Sequence, residues 1–310
     1  MSGRLLFERV RRAVGAIDGA VAASARPALV EGRPDDFRLA TSRLIEDPEL
    51  RARPVGPPQV CPEAIAFLDG TQRYEVVSYL GTTPVVAAVI AAAVRLRTAG
   101  RFSTVCRDER RLLVGPAEVL AAYASAVPGF DLVETARDGR IHPLKELELA
   151  HRAVDDSRRA LELDVGDQFR KRHPDTWLVI DGVLPDPDRW ATDPRVIGIS
   201  KSHATLPFSD EMLATYLTLP PGHRSSVFEP ATGRPTRVRS WGLRLWPFHG
   251  KDLLHGLVRI EVATANASTA EADRLSSWLI AERAPLARPD PRWDRLLYGV
   301  ATVERHLRAR

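Results

Sequence analysis

Apolar residues recur at helical spacing at the start of the chain: Leu6, Val10, Val14, Ile17 and Val21. That spacing predicts an amphipathic helix over residues 3–24. Pro27, Pro34 and the stretch from Pro54 to Pro58 then interrupt the pattern, so residues 25–60 read as a short helix over 37–45 between irregular segments. Residues 1–60 thus form a helical N-terminal arm, and residues 61–310 the main domain. The apolar face of the arm, with Leu6, Val10 and Ile17, could pack on its own domain, on a second copy or on a partner.

Beyond the arm the pattern changes. The run from Ala64 to Leu68 is apolar, ends in Asp69 and is followed by Gly70, which reads as a buried strand with a turn. Arg73 to Tyr79 alternates as a second strand. Residues 83–97 are rich in Val and Ala, and their period does not separate a strand from a buried helix. Residues 116–127 and 143–172 read as helices. The second carries Leu144, Leu147, Leu149, Val154, Leu161, Leu163 and Phe169. Trp177 to Gly182 is another apolar strand ending in Asp-Gly, and Arg195 to Lys201 a buried strand ending in lysine. A helix over 209–217, strands over 240–246 and 256–263, and helices over 268–283 and 293–309 complete the chain. No internal repeat is visible. Strands first, then helices alternating with strands, give an α/β fold with a mixed sheet flanked by helices.

Composition agrees with a globular chain: 44% hydrophobic and 27% charged residues supply both core and surface. The net charge of +4 is a mild basic tilt, compatible with a nucleic-acid partner and no more specific than that. Arginine outnumbers lysine about ten to one, and the lysines are Lys145, Lys171, Lys201 and Lys251. Cys61 and Cys106 have no metal-like spacing, which argues against a zinc site or a disulfide framework. The N-terminus lacks the apolar core of a signal peptide. The longest apolar run, Val85 to Val94, is too short to span a bilayer as a helix. A soluble, cytoplasmic protein without a membrane partner is the expectation.

The chemistry lies in two strands that end in Asp-Gly, at Asp69-Gly70 and Asp181-Gly182. Ligands in α/β sheets bind outside the carboxyl ends of the strands. Two carboxylates on adjacent strands would repel unless they share a proton or a cation. Oxygen-ligated Mg²⁺ or Mn²⁺ is the natural partner. The competing reading is ordinary, because Asp-Gly is a common turn dipeptide. Two enzyme classes with similar motifs fit poorly. Haloacid-dehalogenase-like enzymes need an earlier aspartate where Phe67 stands, and actin-like ATPases need glycine motifs absent here.

Taken in order, several segments resemble the NurA nuclease family. They are Phe67-Leu68-Asp69-Gly70-Thr71, Leu178 to Leu184 around Asp181, Ile197 to Ser202, Ser240 to Leu245, and Gly256 to Glu261. The family favours Asp-Gly-Ser and then a basic residue; here Gln72 and Arg73 follow. The resemblance covers residues 61 to the end. It implies an RNase H-like core and a Mn²⁺- or Mg²⁺-dependent DNA nuclease. It also implies a homodimer working beside a HerA-type hexameric ATPase in DNA end resection and repair or in defence against foreign DNA. Asp69 and Asp181 carry over as metal-binding catalytic carboxylates.

The family also places a glutamate on the preceding helix. Glu162 is the choice here, with Glu148, Asp155 and Asp156 as rivals on the same helix. A tyrosine and, two turns later, a histidine stand near the family's C-terminus. Tyr298 and His306 match that spacing with Gly299 where the family has proline, so His306 is a candidate metal ligand or general acid and Glu304 its alternative. Lys201, a lysine in a chain that prefers arginine, is a candidate for stabilising charge on a phosphate. Arg244 and Arg259 could bind phosphate or pair with Glu261. Trp241 and Trp246 read as core or interface residues. Alternative functions are a catalytically inert adaptor for the ATPase and an RNase H-like enzyme acting on RNA or RNA–DNA hybrids.

Overall fold

The amphipathic N-terminal segment forms a shorter helix than its spacing predicts. In the computed structural model, which describes residues 3–17, 20–22, 38–136, 139, 142–185, 190–201, 203–231, 237–248, 253–266, 268–284 and 295–309, helix α1 covers Gly3–Val14. Strand β1 (Ala20–Ala22) follows in place of further helix, because its backbone pairs with a long strand of the main sheet. The helix expected over 37–45 is likewise replaced by strands β2 (Arg38–Leu39) and β3 (Arg43–Leu44), and β4 (Ala52–Pro54) comes next. Residue 37 and the stretch before it from 23 lie outside the described residues. Tertiary pairing decides here, as sheet edges supply the hydrogen bonds that so short a helix would have made internally.

The main sheet begins with a meander of three long strands, β5 (Ile65–Leu80), β6 (Thr83–Thr98) and β7 (Arg101–Gly115). The two strands expected over 64–69 and 73–79 are therefore one, and the Val/Ala-rich segment is a strand. β7 escapes the hydrophobic pattern because Arg107 to Arg111 are charged and, Cys106 apart, only its end is buried. Helix α2 (Ala117–Tyr123) and strand β8 (Asp131–Glu134) lead to the long helix α3 (Pro143–Arg172). Pro143 at its first turn, His142 Nδ1 accepting from the Leu144 N–H, and Arg170, Lys171 and Arg172 in its last turn fit helix-end chemistry.

Strands β9 (Trp177–Asp181) and β10 (Val196–Ser200) then extend the sheet parallel to β5, as expected for a helical crossover. The rest is β11 (Thr205–Leu206), α4 (Asp210–Leu217), β12 (His223–Ser225), β13 (Phe228–Glu229), β14 (Val238–Arg244), β15 (Leu257–Ala263), α5 (Thr269–Ala281) and α6 (Tyr298–Arg308). The sheet runs β3-β13-β14-β15-β10-β9-β5-β6-β7-β8. Its centre, an antiparallel meander flanked by two strands parallel to β5, makes the mixed α/β sheet flanked by helices that the sequence leads one to expect.

Side chains alternate across this sheet. One face carries Ile65, Phe67, Trp177, Val179, Ile197 and Ile199, covered by α5 and α6. The other carries Ala66, Leu68, Leu178, Ile180 and Val196, covered by α3 through Val154, Leu161, Val165 and Phe169. The described part of residues 1–60 packs into the same body. Phe7, Val10 and Val14 are buried against Val77, Val85, Leu113 and Tyr123 of the meander and α2. Residues 46–54 are tied down by Arg224, which donates to Glu46 at 2.7 and 2.9 Å and to Asp273 at 2.5 Å. Beside it, the Arg53 guanidinium and the Ser226 hydroxyl hold the Asp47 carboxyl down at about 2.

Candidate active site: carboxylates at the sheet rim

Asp69 lies within β5, and Asp181 ends β9. Parallel pairing sets Leu68 opposite Ile180, so the two aspartates are the next step on neighbouring strands. The strands are roughly 4.8 Å apart. Alternation continues the Phe67 and Val179 rows, so both carboxylates project from the α6-covered face. Buried apolar strands fix the backbone of each: Ile65 to Leu68 and Trp177 to Ile180 are all nearly inaccessible.

Glu162 reaches this rim from α3, on the opposite face, and it can do so because residue 70 is glycine. A Cβ on Gly70 would overlap the Glu162 carboxylate. The glycine expected to make a turn is in fact extended strand, required for space. Gly182, by contrast, does turn the chain, with φ +120°. On the fourth side stands Glu304 of α6, near enough for its charge to act on Asp69.

Two cations balance this group in part. Lys201, the residue after β10, places Nζ 2.6 Å from Asp181 Oδ2. Arg158, one turn before Glu162 on α3, is ion-paired with the Glu162 carboxylate. Asp69 has neither. Among the described residues its hydrogen bond comes from its neighbour, the Gly70 N–H at 2.9 Å. Burial raises the Asp69 carboxyl well above the ordinary carboxylate range. The negative charge of Asp181 adds to this, Lys201 opposes it, and Glu162 and Glu304 push it further up. Glu162 is also raised, chiefly by burial, with Arg158 working against the shift and Asp181 adding to it. Burial thus comes first in both shifts, and the neighbouring carboxylates add to it. Among the described residues no three His, Cys, Asp or Glu side chains form a ready ligand shell for a metal ion.

The other expected residues fall as follows. On α3, Glu148 is exposed, Asp156 lies 4.0 Å from Arg159 at the surface, and Asp155 accepts from Gln72. Of the four acids on that helix, Glu162 is the one brought to the rim. His306 is two residues from Glu304, so the helix sets them about 200° apart. Its Nε2 lies 3.4 Å from Thr104 Oγ1 on β7. The structure thus brings Glu304 to Asp69 and turns His306 toward β7. Tyr298 packs edge-on against Phe102. Gly299 stands directly on the Phe67 ring, where a Cβ would overlap it, which gives this position a packing reason to be small.

Arg259 pairs with Glu261 at 3.2 Å, and the Glu261 Oε2 also accepts the Leu184 N–H at 3.1 Å. Arg244 is held by the backbone around it. It is fully buried and donates to the carbonyls of Leu217, Leu219, Leu253 and His255. Trp241 is core, bonded through Nε1 to Ser276 Oγ at 2.8 Å. Trp246 lies under the Arg283 guanidinium, 4.0 Å from the ring centre. His203, assigned no role from sequence, is buried at 2.9 Å from the Leu257 carbonyl and its pKa is pushed down to about 4 by that burial. Ser202, His249 and Lys251 lie outside the described residues. Arg158 was not singled out by the sequence. Its signal was there, a cation one turn before an acid at i,i+4.

No family model matches the sequence, and no curated protein matches it. A solved structure does resemble the fold: the crystal structure of the NurA nuclease from Sulfolobus solfataricus. The likeness has a TM-score of 0.51 at 10% sequence identity, over 83% of this chain and 81% of that one. The fold of this chain is NurA-like. No helix among the described residues is long and apolar enough to cross a membrane.

Proposed function

We propose that this protein is a divalent-metal-dependent DNA nuclease of NurA type. The observation that carries the reading is the buried, undercompensated Asp69 carboxyl, with Asp181 on the neighbouring strand and Glu162 and Glu304 near enough for their charges to act on it, in a NurA-like sheet. Crowded carboxylate oxygens with too few cations are the donor chemistry that suits Mg²⁺ or Mn²⁺. Asp69, Asp181 and Glu162 would hold the ion, with Glu304 closing the α6 side in the position sequence reasoning offered to His306. Such an ion, when bound, supplies an activated water and stabilises charge on the leaving oxygen in phosphodiester hydrolysis.

The chain's own residues supply the rest. Asp69 binds an ion as the carboxylate, and a neighbouring positive charge favours that form against the burial that opposes it. Lys201 is bonded to Asp181, within reach of any phosphate placed against the carboxylates. Its compact ammonium can move from carboxylate to phosphate as charge builds there. The mild basic balance would favour approach of DNA. The HerA-type ATPase partner, the homodimer and a role in end resection, repair or defence belong to the same reading and rest on the family resemblance.

A second reading, an inert docking plate for the ATPase, draws on one observation. Two of the acids are already paired with Lys201 and Arg158. The deciding experiment is cleavage of labelled single- and double-stranded DNA, with RNA and RNA–DNA hybrids beside them, in Mn²⁺, Mg²⁺ or EDTA. The natural chain is compared with Asp69→Ala and Asp181→Ala, with and without the ATPase. Metal-dependent cutting of DNA that both substitutions abolish supports the nuclease. A folded, partner-binding protein that cuts nothing supports the docking plate.

A further inference from the structure

A chain of side-chain hydrogen bonds runs from β5 to the site without touching Asp69 or Asp181. Gln72, two residues beyond Gly70, faces α3. Its Nε2 donates to Asp155 Oδ1 at 2.7 Å, and its Oε1 accepts from Arg158 Nε at 3.0 Å. Arg158 in turn is ion-paired with the Glu162 carboxylate, which fills the notch over Gly70. The three α3 residues are spaced 155, 158 and 162, so they share one helix face, and Gln72 meets that face from the strand.

We propose that Gln72 is a positioning residue which, through Arg158, fixes the Glu162 carboxylate at the rim. The proposal rests on the metal-dependent reading above. An amide suits the place because it offers a donor to Asp155 and an acceptor to Arg158 at once. A basic residue here would repel Arg158, and a carboxylate would repel Asp155. An i,i+4 ion pair left to itself stabilises weakly, since both long side chains must be ordered to make it. With Gln72 holding Arg158 Nε, that ordering is already in place when Glu162 takes a ligand. Glu162 then meets the ion in one orientation, at a lower entropic cost.

The test is calorimetric binding of Mn²⁺ to the full chain without DNA, with melting curves as a check on folding. Gln72→Met, of similar length and with no hydrogen bonds, keeps every charge of the site. It is expected to weaken Mn²⁺ binding about threefold to tenfold, the cost of one reordered long side chain. Gln72→Asn, too short to bridge, should do the same and serves if the methionine variant fails to fold. The decisive arm repeats Gln72→Met in an Arg158→Met background. There it should change nothing, whatever Arg158→Met does alone, because the residue through which Gln72 acts is gone. Unchanged affinity in the natural background, or an equal loss in both backgrounds, overturns the positioning role. A natural chain that binds no Mn²⁺, or binds it as well with Asp69→Ala, overturns the metal-dependent reading instead.

Discussion

The two Asp-Gly pairs are identical on paper and different in the molecule. Asp69-Gly70 lies in the middle of a 16-residue strand, and its glycine is there because a carboxylate from α3 occupies the space of a side chain. Asp181-Gly182 ends a strand. Its glycine is there because the backbone adopts a φ of +120°, open to little else, and has free space around it. The aspartates differ in the same way. Asp181 has Lys201 as a direct counterion, whereas Asp69 is more deeply enclosed and has like charges on three sides. One dipeptide can therefore serve close approach or chain reversal, and neighbours across the sheet decide which.

The comparison is broken most severely by removing the acids. Asp69→Asn and Asp181→Asn should each lower DNA cleavage by more than ~100-fold, measured with saturating Mn²⁺. Their stabilities should diverge in the metal-free protein. Asp69→Asn removes a buried carboxyl whose ionisation its neighbours oppose, and its melting temperature at neutral pH should rise. Asp181→Asn leaves Lys201 without its carboxylate, and its melting temperature should fall.

The glycines come next. Gly70→Ala forces Glu162 out of its notch, with an expected cost of about 1–3 kcal/mol in denaturant unfolding and loss of most of the activity. Gly182→Ala meets no neighbour and strains only its own backbone, so a cost of about 1 kcal/mol is expected. Equal effects of the two on activity would contradict the distinction drawn between them.

The pH dependence follows from the direction of the shifts. Asp69 and Glu162 have folded-state values raised above the ordinary carboxylate range. Their contribution to stability is complete below the ordinary unfolded values, near 4, and is lost as pH rises through the raised folded ones. Melting of the metal-free protein should therefore show a loss in that window, which Asp69→Asn reduces and added Mn²⁺ offsets. The smallest effect is expected at α6. His306→Ala should change cleavage less than Glu304→Gln does, since the helix turns the histidine toward Thr104. The reverse order would restore the histidine to the site.

Much of the fold could be read along the chain. The helix over 143–172 matches α3 in both bounds, because Ala150, Val154, Leu161, Val165 and Phe169 recur at helical spacing and proline and basic residues mark its ends. The apolar strands at Trp177 and Val196 were legible for a similar reason, each being buried on both faces. The short elements near residue 40 were not, since strands of two residues exist only through pairing with β11 and β13. Nor was β7, whose charged middle conceals its alternation.

For the site, the sequence by itself pointed to Asp69 and Asp181, each closing an apolar run. It also narrowed the helical acid to four positions and drew attention to Lys201. Only the tertiary structure decided that Glu162 lies over Gly70, that Glu304 and not His306 turns to Asp69, and that Arg244 serves backbone carbonyls. Those choices depend on which strands become neighbours and how a helix is rotated over them. A linear pattern gives period and burial but carries neither register nor rotation between elements distant in sequence.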